Sequence, residues 1–308
     1  MDASGVARQI LSGLEKKGCR GRIVSIQHVT DLKKEIDLSH NQGVLDDLLY
    51  RERLSGFQFN FSEASPDAKS IIITSTPQPQ QKVSFQSEGR TYDCIVPPTY
   101  AYHTDRLVEK VIMNVLEPMK CHAYKARLPD KLLAVRSGLA KYGKNNIAYV
   151  AGLGSFHRLK VFLSDLPAVE DSWSEPEMME ECRKCSACIK KCPTNAILSD
   201  RFLMRAERCL TFHNEREAEF PDWIDPAWHN CLIGCMVCQL VCPANRGVRS
   251  QYGKGESFTE EETALVTKGV SADQLPMLTA DKLQRLGLLE DVGLVTRNLN
   301  VLIRQRSS

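Results

Sequence analysis

Cys182, Cys185, Cys188 and Cys192-Pro193 form an unbroken C-x2-C-x2-C-x3-C-P run. Three thiolates at that spacing wrap one [4Fe–4S] cubane, and the fourth, turned away by its proline, serves a second one. A second run, Cys231, Cys235, Cys238 and Cys242-Pro243, repeats the x2 and x3 spacings, but its first cysteine sits one residue early, with Leu232 at the expected position. By the crossover rule one cluster takes Cys182, Cys185, Cys188 and Cys242. The other takes Cys192, Cys235 and Cys238 and needs one more ligand, for which Cys209 and Cys231 compete. Four soft thiolates leave iron fully coordinated, which suits electron transfer better than substrate binding. The bland alternative is a pair of structural zinc sites, but zinc is usually held by two paired C-x2-C units, not by a triple run with Cys-Pro.

Nine of the twelve cysteines lie between Cys182 and Cys242. Cys19, Cys94 and Cys121 stand apart upstream and read as ordinary core side chains. The N-terminus shows no apolar h-region and no twin-arginine pair. No apolar run approaches the roughly 20 residues that span a bilayer. The chain is therefore expected in the cytoplasm, where clustered cysteines are metal ligands rather than disulfides. A net charge of +2, with 43% hydrophobic and 25% charged residues among 308, describes an ordinary globular protein. It imposes no field favouring nucleic acid or a membrane surface.

A two-cluster ferredoxin needs only a short chain, yet 181 residues precede Cys182, so the electrons should serve a site built there. Val6, Ile10, Leu11 and Leu14 share a helical face ended by Gly18. Ser70–Thr74 reads as a buried strand ended by the Thr-Pro-Gln-Pro-Gln turn, and 82–86 with 91–96 as a hairpin. Leu107, Val108, Val111, Ile112, Val115, Leu116 and Met119 form a helical stripe. A further helix is expected from Pro129 to about Tyr142, closed by Gly143, before an apolar strand at Ile147–Ala151. Asp171–Pro176 reads as an acidic linker and Gly253–Glu262 as irregular chain. Thr279–Arg304 reads as helical, with Thr279 as its N-cap. The fold class is α+β. The loop Gly143-Lys144-Asn145 can offer backbone amides, a cation and an amide to a polar ligand, or be a plain helix end with a solvated lysine.

Several stretches resemble the epoxyqueuosine reductase family, which is related to reductive dehalogenases. They are Tyr100-Ala-Tyr-His103, Arg136-Ser-Gly-Leu139, Tyr142-Gly-Lys-Asn145, Gly152–Phe156, Leu163–Pro167, Cys182–Ile197, Ala206-Glu-Arg-Cys209, Gly234–Asn245 and Arg297-Asn-Leu299. The resemblance implies a nitroreductase-like cobalamin-binding domain over 1–170, a two-[4Fe–4S] ferredoxin-like domain over 175–250 and a C-terminal helical segment over 251–308. It implies Cys209, not Cys231, as the remaining cluster ligand. It places Tyr100, His103, Arg136, Tyr142, Gly143, Lys144 and Asn145 against cobalamin, although His103, His122 and His157 read by themselves as surface or hydrogen-bonded core residues. It implies a reduced ferredoxin or flavodoxin-type donor, electrons passing through two clusters to a corrinoid, and tRNA as the substrate carrier, with no membrane partner.

The chain departs from the family where an acidic residue precedes a Pro-x-Leu-Glu-Arg helix start. Here the stretch is Tyr124-Lys-Ala-Arg-Leu-Pro-Asp-Lys131, which sets Ala126 at the acidic position and Asp130 beyond the proline. Tyr124 is then the candidate proton donor, with Lys125 or Arg127 easing its ionisation. The family's C-terminal helical repeats have no counterpart in the stretch after Cys242. Two other readings follow from these departures: a non-catalytic electron carrier or corrinoid reductase serving a partner, and a regulatory cluster protein without cobalamin.

Overall fold

A computed structural model describes residues 2–61, 65–100 and 103–307, with the side chains of 103 and 307 outside that set. The chain packs as two compact units. The first comprises Met1–Pro77, Thr104–Cys185 and Asp200–Arg205, and the second Gln78–His103, Ser186–Ser199 and Ala206–Ser308.

The first unit is built on an antiparallel sheet whose strands run in the order Arg20–Ser25, Ser70–Pro77, His157–Ser164, Ala123–Lys125. Its second strand is buried on both faces, which explains the unbroken Ser-Ile-Ile-Ile-Thr run. Successive side chains point to opposite faces. Ile72 shares one core cluster with Val6, Ile10 and Leu14 of helix Ala3–Lys16 and with Ile112 and Leu116 of helix His103–Leu116. Ile71 and Ile73 belong to another, with Leu32 of helix His28–Asn41 and Leu133 of helix Asp130–Arg136. The strand runs through Pro77, three residues beyond the predicted end.

Four expectations need correction. The helix opened by Pro129 stops at Arg136, because Gly138 takes a left-handed φ of 71° that ends the turn. Lys141–Tyr142 is instead a short strand paired with Ala148–Tyr149, so the predicted strand at 147–151 shrinks to its middle. In the second unit Thr279 is no N-cap. It lies inside helix Met277–Leu286, 1% exposed, and Gly287 (φ 72°) separates that helix from Val292–Ser307. Gly253–Glu262 is not irregular either. It holds strand Ser257–Phe258 and the start of helix Glu260–Thr267, closed by a capping box between Thr259 and Glu262.

The second unit sets the hairpin Gln80–Ser87 and Arg90–Val96 under the C-terminal helices. Its two-residue loop, Glu88 and Gly89, has both φ angles positive, at 51° and 69°, as a type I′ turn requires. Ser257–Phe258 adds to it in parallel and stacks Phe258 on Phe85 at 4.6 Å. Leu232 and Ile233, from the cysteine-rich segment, join this core with Leu299 and Leu302. Truncating the central sheet tests the first unit's dependence on that two-sided strand. Ile72→Ala should lower unfolding free energy by about 2–5 kcal/mol in chemical denaturation.

Candidate functional site

The second unit gathers most of the cysteines. Helix Ala187–Lys191, which carries Cys188, packs against helix Val237–Leu240, which carries Cys238. Cys192 follows the first of these helices, Cys209 precedes helix Leu210–Asn214, and Cys242 precedes the turn Pro243–Asn245. Burial pushes the Cys209 thiol up to about 11, and the neighbouring sulfurs of Cys235 and Cys192 push the same way. Against them, the backbone N–H groups of Thr211 and Phe212 are aimed at the Cys209 sulfur. The Cys235 thiol is raised by burial and receives Asn230 Nδ2 at 3.3 Å and the N–H of Val237. Cys192 Sγ lies 3.5 Å from the Thr194 hydroxyl.

These groups fit an iron–sulfur cluster. Buried thiols held among one another keep their protons unless a cation draws them off, and iron is that cation. The amides already aimed at sulfur are the donors a bound thiolate uses. Among the described residues no three His, Cys, Asp or Glu side chains converge on one point that a single ion would fill. Cubane thiolates occupy separate corners. Cys231, the competing ligand, is fully buried, and its thiol is pushed well up by burial and then by Cys235. It donates to Asn230 Oδ1 at 3.1 Å.

Helix Val292–Ser307 fixes this arrangement through two side chains that no metal-ligand pattern reveals. Arg297 donates to the carbonyls of His213, Asn214, Arg216 and Ala218. Asn298, fully buried, donates to the carbonyls of Asn214 and Leu232, and Asn214 in turn holds the Gly234 carbonyl at 2.7 Å. Tyr100, predicted against the cofactor, sits on this same turn: a Cβ on Gly234 would lie 3.0 Å from its hydroxyl, which donates to Glu215. The side chain of His103 lies outside the described residues.

Cys182 and Cys185 belong to the first unit, Cys188 and Cys242 to the second. The first pair is joined to the predicted cofactor loop. Tyr142 N–H donates to Glu177 O and its carbonyl accepts from Met179, each at 2.8 Å, and Lys144 Nζ donates to the Cys185 carbonyl at 3.0 Å. Gly143 admits no side chain, since a Cβ there would stand 2.5 Å from Asn145 Oδ1 and from the Tyr149 ring. Asn145 is used internally, donating to Tyr149 Oη and accepting from Ile147 N–H. Arg136 is bound to Glu35, Glu175 and the Ser174 carbonyl. Burial raises the Tyr142 phenol well above its usual range.

The polar atoms left over belong to residues outside the predicted set. Asn146 Nδ2 and His157 Nδ1 are buried without a partner, while His157 Nε2 is held by the Ala148 carbonyl at 3.0 Å. Burial keeps His157 below its ordinary pKa and so neutral. Two orphaned polar atoms beside a glycine-tight loop fit a large polar cofactor, which would hydrogen-bond to them. A second asparagine directly after Asn145 was the signal available in the sequence.

Tyr124 is 48% exposed on the edge strand, opposite Leu163. Lys125 is opposite Phe162, on the other face of the sheet, and pairs with Glu109 at 2.8 Å, so it does not face Tyr124. The Arg127 guanidinium lies over Gly56. Asp130, set aside in the sequence because it follows the proline, opens helix Asp130–Arg136. Burial pushes its carboxyl up to about 7 against the pull of Lys160 and Arg158, with Asp105 adding to the rise. Asp105 itself grips Arg158 at 2.6 Å and Lys160 at 3.3 Å. The folded chain thus holds the Asp130 proton more tightly than the unfolded chain does. Its contribution is harmless below the usual carboxylate pKa and destabilises as pH rises toward 7, by at most about 4 kcal/mol. Asp130→Asn should flatten that slope, measured as denaturant midpoints of variant and parent at about pH 5 and about pH 8.

Comparison with known proteins completes the site. Residues 181–245 match the 4Fe-4S double cluster binding domain. Epoxyqueuosine reductase from Vibrio cholerae serotype O1 is 30% identical over 227 residues, covering 72% of this chain and 59% of that protein. The Escherichia coli K12 enzyme is 36% identical over 135 residues, 44% of this chain and 34% of its own length. The Cyclobacterium marinum enzyme is 34% identical over 134 residues, 43% of this chain and 41% of its own. The chain thus spans between about a third and three fifths of these curated relatives. Among solved structures, epoxyqueuosine reductase with an epoxyqueuosine-modified tRNA stem loop superposes with a TM-score of 0.73 at 19% identity, over 99% of this chain and 82% of that one. The Streptococcus thermophilus protein gives 0.67 at 16%, over 99% and 81%. At these identities the superpositions establish the fold, α+β with a ferredoxin-like cluster segment. The aligned sequences and the double-cluster motif support the chain as a member of the epoxyqueuosine reductase family.

Proposed function

We infer that this chain is a cobalamin-dependent iron–sulfur oxidoreductase that reduces a nucleoside such as epoxyqueuosine carried on tRNA. One observation carries the reading: the loop Tyr142–Asn145 is hydrogen-bonded directly to the segment bearing Cys182 and Cys185. A cofactor seated on that loop would lie within a few bonds of a cluster ligand. In this reading Cys182, Cys185, Cys188 and Cys242 hold one cluster, and Cys192, Cys209, Cys235 and Cys238 the other. The clusters supply single electrons and the corrinoid supplies a reducing metal. Gly143 lets the loop close on Asn145 and Tyr149, Lys144 fixes the loop on the cysteine turn, and Asn146 and His157 would offer the group hydrogen bonds. Tyr124, half exposed on the edge strand, is the candidate proton donor.

Of the relatives, one has been solved with a tRNA stem loop, which supports tRNA as the substrate carrier here. A ferredoxin or flavodoxin-type donor suits the potential range of such clusters. Among the described residues no helix is long and apolar enough to cross a membrane, in keeping with a cytoplasmic site of action. A second reading, an electron carrier or corrinoid reductase serving a partner, draws support from Ala126 at the acidic position and from Lys125 facing away from Tyr124.

Anaerobic reconstitution separates the two. Tightly bound corrinoid together with conversion of epoxyqueuosine to queuosine in tRNA is expected. Corrinoid reduction without any turnover would favour the carrier. For the contested ligand, Cys209→Ala should lose about half the iron, whereas Cys231→Ala should retain all of it.

A further inference from the structure

We propose that Asn230 is a positioning residue that raises the reduction potential of the second cluster through a hydrogen bond to Cys235, and that the Cys231 thiol, donating to the same amide, helps to hold it there. The proposal rests on the reading above that Cys209, rather than Cys231, completes that ligand set.

Every hydrogen-bonding position of the Asn230 amide is occupied. Nδ2 donates to Cys235 Sγ at 3.3 Å and to the Trp228 carbonyl at 3.0 Å. Oδ1 accepts the Met236 N–H at 3.0 Å and the Cys231 thiol at 3.1 Å. A backbone N–H can only donate and a carbonyl can only accept, so the amide cannot be turned over without breaking both main-chain bonds. Its nitrogen must therefore face the Cys235 sulfur. Cys231 has no exposure to water. Its proton has Asn230 Oδ1 as acceptor, which gives this extra cysteine a structural task beside the ligands.

Reducing a cluster adds a negative charge that its thiolate sulfurs share. A donor aimed at one of those sulfurs stabilises the reduced form more than the oxidised form, so the potential rises. The backbone donors to Cys209 and Cys235 are set by the local fold. Asn230 is the donor that a side-chain substitution can remove. Asn230→Leu keeps the branching and the number of side-chain heavy atoms, with a somewhat larger volume, and abolishes the bond. Asn230→Asp goes further and sets a negative charge against the sulfur.

The test is an EPR-monitored redox titration of the anaerobic, fully loaded full-length chain, with iron assayed in parallel. In Asn230→Leu one cluster's midpoint should shift downward, and in Asn230→Asp further downward, with the other cluster unmoved and iron at the parent level. Cys231→Ala leaves all eight proposed ligands and Asn230 in place. It should give a smaller downward shift of the same cluster at full iron content. Unchanged midpoints in Asn230→Leu at full iron would overturn the proposal and leave the two-cluster reading standing. Should Asn230→Leu fail to hold iron, Cys231→Ala decides alone: a downward shift supports the relay and an unchanged midpoint overturns it. Iron loss in Cys231→Ala would overturn the proposal together with the assignment of Cys209.

Discussion

Thiolates crowded into a protein interior repel one another and resist burial, and only the positive charge of iron removes both costs. That constraint shapes the second unit. Burial and the sulfurs of Cys235 and Cys192 raise the proton affinity of Cys209, and burial and Cys192 that of Cys235. The chain answers with backbone amides at Cys209 and Cys235 and with side-chain donors from Thr194 and Asn230. The same segment is bolted to the hydrophobic core through Leu232 and Ile233 and to the last helix through Arg297 and Asn298. The cysteine-bearing segment is thus held by ordinary packing and by hydrogen bonds to its main-chain carbonyls.

The first unit solves a different problem. Its sheet, buried on both faces, supplies a rigid wall, and the short strand pair Lys141–Tyr142 and Ala148–Tyr149 presents the glycine-tight loop from it. Most side chains of that loop hold one another: Asn145 ties to Tyr149, and Lys144 to the Cys185 turn. The position beside Gly143 is filled by Asn145 and Tyr149, and the nitrogens left without a partner here are those of Asn146 and His157. In the proposed reading these few fixed polar atoms would hold a cofactor that carries the chemistry.

The cysteine spacing was the most legible part of the sequence, because cluster geometry is written almost directly into ligand separation. The hairpin was legible too, since Glu88-Gly89 between alternating residues admits few other turns. The helix beyond Pro129 was misjudged because the Ser137-Gly138 pair, a good stop signal, lay inside an otherwise helical pattern. The Thr259–Glu262 capping box is equally readable as a Thr-x-x-Glu pattern. Other features were not legible from local pattern at all. That Ser257–Phe258 joins a strand some 170 residues earlier depends on tertiary packing. That Lys125 and Tyr124 face opposite ways follows from strand pairing, and the elevated Asp130 carboxyl from burial beside Arg158 and Lys160.

The central claim is that eight thiolates hold two cubanes in this one chain. Mössbauer spectroscopy of anaerobically prepared, iron-57-labelled protein, with iron and sulfide assays, tests it most directly. The account predicts about eight irons and eight sulfides per chain, all in [4Fe–4S] environments. Zinc in place of iron, or half that iron in a single cluster, would contradict it.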